Sequence, residues 1–77
     1  MAKRINEYEA DEVRIYRERG AEAGADWALY AGGDDLDSLS SAAREAAREA
    51  SASIPVASLR RVYFRAFVRA ASAALGV

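Results

Sequence analysis

Seventy-seven residues carry 11 basic and 12 acidic side chains, a formal net charge of −1, with no Cys and no His. This excludes disulfide staples, thiolate or imidazole metal sites and every His-dependent triad. One domain is expected across 1–77, near the size at which a single core barely holds a fold unaided, so an oligomer partner is a natural source of stability.

Nineteen residues are Ala, and ten Arg stand against one Lys. The first bias favours helix; the second suggests a GC-rich, bacterial coding sequence. No apolar run approaches membrane-spanning length. Met1-Ala2-Lys3-Arg4 leads into an acidic stretch and is read as no signal peptide, so a cytoplasmic protein without a membrane partner is expected. Charge is unevenly spread. Residues 1–49 hold seven basic and twelve acidic groups, whereas residues 50–77 hold four Arg and no acid. Such asymmetry marks either a nucleic-acid face or, more commonly, two halves that neutralise each other within one fold.

The first predicted helix covers about 5–31. Ile5, Tyr8, Tyr16, Ala23, Trp27 and Tyr30 share one side of a 100° wheel. Glu9 and Glu12 also point into that apolar side. Arg14 and Glu18 are spaced to pair across one turn. Gly20 and Gly24 each cost roughly 1 kcal/mol relative to Ala in a helix interior. They either let another backbone approach closely or weaken, kink or break the helix.

Gly32-Gly33 is the expected stop, with Asp35 or Asp37 capping the next helix. That second helix is expected over 36–52. Its apolar positions, Leu36, Leu39, Ala43, Ala46 and Ala50, are mostly methyl groups, which makes it a lid rather than a core. Asp34, Asp35 and Asp37 form a tight carboxylate cluster but lack the spacing and distal Glu of a calcium loop. They are read as capping acids, and no metal or other cofactor is expected.

The third helix is predicted over 55–75, with Pro55 in the first position and Gly76 closing it. Val56, Leu59, Tyr63, Ala66, Phe67, Ala70 and Ala74 make one apolar face. Phe64, Val68 and Leu75 make a second flank, and Val62 and Ala73 widen the first. Only Arg61, Arg65, Arg69 and Ser72 form a polar strip. A helix apolar over most of its girth is covered on more than one side.

The fold class is therefore all-α: a compact, dimeric three-helix bundle with a long first helix, an Ala-rich second and an apolar third. Phe64, Val68 and Leu75 are the candidate partner-binding residues, with a second copy the most economical occupant. Arg60 projects on the apolar face of helix three and is expected to form a partly buried, register-setting pair with Glu9 or Glu12. There is no phosphate-binding loop and no nucleophile–base pair. The segment from Ala47 to Ser53 resembles a helix-turn-helix turn only poorly, because Ser51 replaces the turn Gly, Arg60 falls on an apolar position and Pro55 lengthens the turn.

These readings predict a non-enzymatic protein-binding module without a small-molecule substrate, an accessory or regulatory protein of a bacterium or mobile element. The alternative is a nucleic-acid-binding regulator that sets Arg61, Arg65 and Arg69 on phosphates. A self-assembling subunit is the third possibility.

Overall fold

The structure is a computed structural model. It describes the backbone of residues 2–31 and 36–76 and the side chains of 11–31 and 38–76. Among them stand three helices and no strand: α1 (Ala2–Tyr30), α2 (Leu36–Ser51) and α3 (Ala57–Leu75). None of the described helices is long and apolar enough to cross a membrane.

The three pack along rows of residues four apart. In α1 the row is Gly20, Gly24 and Ala28; in α2 it is Leu39, Ala43, Ala47 and Ser51; in α3 it runs through Leu59, Phe67 and Ala71. Spacing of four brings side chains onto one helix ridge. Small residues on these ridges let the axes come close. A Cβ at Gly20 would lie 2.5 Å from the Tyr63 carbonyl oxygen, and one at Gly24 would overlap the Phe67 carbonyl and stand 2.9 Å from its Cα. Of the two readings of this glycine pair, close backbone approach is the one realised: α1 continues through both residues without a break.

The same contacts fix direction. Gly20 meets Tyr63, Gly24 meets Phe67, and Ala28 joins Ala71 in one cluster, so partners keep an offset of 43 residues and α1 and α3 run parallel. Helix α2 runs back between them in sequence, placing Ala43 beside Ala28 and Ala71. At that offset Ala57, the first residue of α3, is level with Arg14. Residues 2–13 of α1 therefore run past the start of α3, and the molecule extends 50 × 20 × 16 Å.

Helix α3 is the central element. Phe67 is 3% exposed, with Trp27 at 6.2 Å and Tyr63 at 6.4 Å between ring centroids, both tilted. Burying a Phe contributes roughly 1.5–3 kcal/mol, more than any methyl-lined part of the core. The Ala-rich α2 covers α3 as a close-fitting lid, with Ala43 and Ala47 at 1% and 0% exposure.

Three local expectations are corrected. Pro55 is not the first residue of α3: Val56, in extended conformation (φ −92°, ψ 119°), is the N-cap, and the helix starts at Ala57. Val56 is consequently half out in solvent rather than on the buried face. Arg14 pairs with Asp11 at 3.4 Å, not with Glu18, and both partners are well exposed, where such pairs contribute about 0–1 kcal/mol. The stop at Gly76 is as expected, with φ 81°, ψ 23° and its N–H directed to the Ala73 and Ser72 carbonyls. Gly32, Gly33, Asp34 and Asp35, and the Asp37 side chain, lie outside the described residues.

Candidate interaction surfaces

Two grooves flank α3, and they divide the arginine strip. The first lies between the C-terminal turns of α2 and the start of α3. Arg48, Arg60, Arg61 and Phe64 line it, above Ser51 and Ala52. Buried Ser51 is satisfied locally, its hydroxyl donating to the Arg48 carbonyl at 3.2 Å. The second lies between α1 and α3. Arg17, Arg65 and Arg69 stand along it. Val62, Ala66, Ala70 and Ala73 supply its apolar side from α3. All three arginines of the strip, Arg61, Arg65 and Arg69, are exposed, but only Arg65 and Arg69 share a groove, and Arg17 of α1 joins them.

The second apolar flank of α3 is also divided. Phe64 and Val68 are half-buried. Leu75, half-buried too, packs on the cluster of Ala28, Ala43 and Ala71 and so belongs to this chain's own core. Ala71, placed on neither apolar face by the wheel, is completely buried.

Arg60 is exposed and turns back on the α2–α3 connection. Its Nε donates to the Ile54 carbonyl at 3.1 Å and a terminal nitrogen reaches the Pro55 carbonyl at 3.5 Å. Glu12 is exposed as well, and no ion pair joins it to Arg60. The physical reason is register: Arg60 is level with Arg17, more than a turn beyond Glu12. The side chain of Glu9 lies outside the described residues.

A third groove, unforeseen from the sequence, separates α1 from α2. Trp27 and Tyr30 on one side face Ala46 and Ala50 on the other, with Phe67 beneath. Tyr30 on its wall is 88% exposed. Among the described residues no group of three or more His, Cys, Asp or Glu is placed to hold a metal ion. Comparison with family models, with curated proteins and with solved structures finds no match. The geometry of the surfaces is thus the ground for a functional reading.

Proposed function

We propose that the protein is a small, non-enzymatic binding module that acts as a homodimer through protein–protein contacts of α3. The observation that carries this reading is the half-open state of Phe64 and Val68 on a helix already covered by two neighbours. Aromatic and Arg side chains dominate interface energetics, and Phe64 stands with Arg48 and Arg61 in one groove. Leu75 contributes to the fold first and to a partner only at its margin.

A comparison of wild type with Phe64→Asp tests it. Chemical cross-linking and affinity capture should recover one stoichiometric protein partner with wild type and lose it with the variant, at unchanged helicity. Equal recovery by both would overturn the assignment of this flank.

A second reading, nucleic-acid binding, is supported by the exposure of Arg61, Arg65 and Arg69 without carboxylate partners among the described residues. Salt separates the two, because phosphate binding weakens by orders of magnitude between low and moderate salt.

A further inference from the structure

We infer that the α1–α2 groove is a binding site for an arginine side chain presented by another protein. The site goes beyond the α3 contacts proposed above and shares no residue with the Phe64 groove.

Its lining sets two carboxylates around aromatic rings. Asp26 stands on the α1 wall and Glu49 on the α2 wall, with Trp27 and Tyr30 beside Asp26 and Phe67 beneath. Both charged residues of this lining are acids, whereas the charged residues of the other two grooves are all Arg. The fold accounts for neither acid. Both are exposed, and among the described residues neither carboxylate takes part in an ion pair or hydrogen bond. Glu49 lies in the last turn of α2, where the helix dipole favours a cation and opposes an acid. Tyr30, 88% exposed, gives the core almost no burial.

Carboxylates and aromatic faces attract one class of group in common, a cation. A guanidinium suits this combination best, because its plane stacks on a ring while its edge donates paired hydrogen bonds to a carboxylate. The stacking half of that arrangement already exists on the same side of α1: the Arg19 guanidinium carbon lies 5.9 Å from the centre of the Tyr16 ring. Trp27 is only half-buried, and Ala23, Ala46 and Ala50 keep the walls around it low. A long side chain can therefore reach its ring from solvent.

The position of this chain's own arginines points to a separate protein as the source. Arg61, Arg65 and Arg69 lie on the far side of α3 from the groove: Arg65, two residues before Phe67, is turned about 160° from it. Strip and groove face opposite ways, so a contact between them would repeat from copy to copy without closing. A basic segment of another protein fills the groove without building such chains.

Trp27 is the one Trp in the sequence and reports occupancy directly. The probe is the peptide acetyl-Ala-Ala-Arg-Ala-Ala-amide, titrated beside its citrulline analogue, which keeps the shape of arginine and lacks the charge. The arginine peptide should change Trp27 emission along a saturable curve, and the citrulline peptide should bind about tenfold or more weakly. Asp26→Asn with Glu49→Gln should weaken the arginine peptide about tenfold or more, and Tyr30→Ala about threefold or more. All three positions are exposed, and circular dichroism should show unchanged helicity. Phe64→Asp should bind the peptide as wild type does, so this site and the α3 contact fail separately. Three results would each overturn the inference: an equal response to both peptides, no saturable response up to several millimolar, or wild-type affinity in the Asp26→Asn, Glu49→Gln variant. So would a wild type whose sedimenting mass grows past a dimer with concentration and reverts in Arg65→Gln with Arg69→Gln, because the arginine would then be the chain's own.

Discussion

Gly24 lies directly against the Phe67 carbonyl, so closely that no side chain fits between the two helices there. All three nearest atoms belong to the Phe67 backbone, which cannot rotate aside as a side chain would. Gly24→Ala should therefore destabilise the fold although Ala is the better helix former. Overpacking costs about 1–3 kcal/mol, against roughly 1 kcal/mol returned by propensity. With backbone atoms in the way the upper end applies, and a net loss of up to about 2 kcal/mol should lower Tm by up to roughly 8–16 °C. Gly20→Ala, against the Tyr63 carbonyl, should act in the same direction. Thermal circular dichroism decides; a rise in Tm would mean the helices do not cross this closely.

Phe67 and Phe64 lie three residues apart on α3 but should respond very differently. Phe67, buried beneath Trp27, should cost about 3–5 kcal/mol on truncation to Ala, most of what a domain of this size has. Phe64→Ala, at a half-buried position on the groove wall, should cost about 1–2 kcal/mol. Trp27 is the one Trp in the sequence and its ring sits 6.2 Å from that of Phe67. Its emission should shift red in Phe67→Ala and stay near wild type in Phe64→Ala. Comparable losses for both would place the centre of the core elsewhere on α3.

The contrast within α2 gives a sharper test of register. Ala47 is fully buried and Ala42 is exposed, although both are alanines in one helix. Ala47→Leu should destabilise by about 1–3 kcal/mol through overpacking, whereas Ala42→Leu should change stability by less than about 0.5 kcal/mol. Urea unfolding of the two variants measures the difference.

That same contrast explains which parts of the fold were legible in the sequence. Helix number and order followed from strong local signals, the apolar spacing of the third helix and the Gly76 stop. The buried face of α2 followed only in part: Leu39 and Ala43 are inside as expected, but the last two turns differ. The wheel selected Ala46 and Ala50, yet Ala47 and Ser51 are the residues inside. Along an i+4 row the face drifts by about 40° per step, and in a helix rich in Ala and Ser no large side chain marks where the row lies. Ala71 was missed for the same reason, with Ala70, Ala73 and Ala74 around it. Glu12 is exposed, and Arg60, one end of the expected pair, turns to the Ile54 and Pro55 carbonyls instead. The offset between α1 and α3 is set by Gly20 and Gly24 meeting backbone atoms, and nothing in side-chain pattern encodes it.

Arg60 offers the last prediction. The sequence placed it opposite Glu9 or Glu12, in which case removing either partner would leave a buried charge and cost several kcal/mol. The structure instead holds its guanidinium on the Ile54 and Pro55 carbonyls, at the surface. These bonds tie the connection that sets where α3 begins, since the helix has no side-chain cap at Val56. Arg60→Ala should thus cost about 0.5–1.5 kcal/mol, the ordinary scale of a hydrogen bond, and Arg60→Lys should recover only part of it, lacking the planar fork that reaches both carbonyls. Arg61→Ala, with no such bond, should be near neutral. Glu12→Gln should leave monomer stability unchanged, and a double-mutant cycle between Arg60 and Glu12 should give a coupling near zero. A coupling above about 1 kcal/mol would restore the buried pair and shift α1 along α3 by more than a turn, which the fit of Gly24 against Phe67 does not allow.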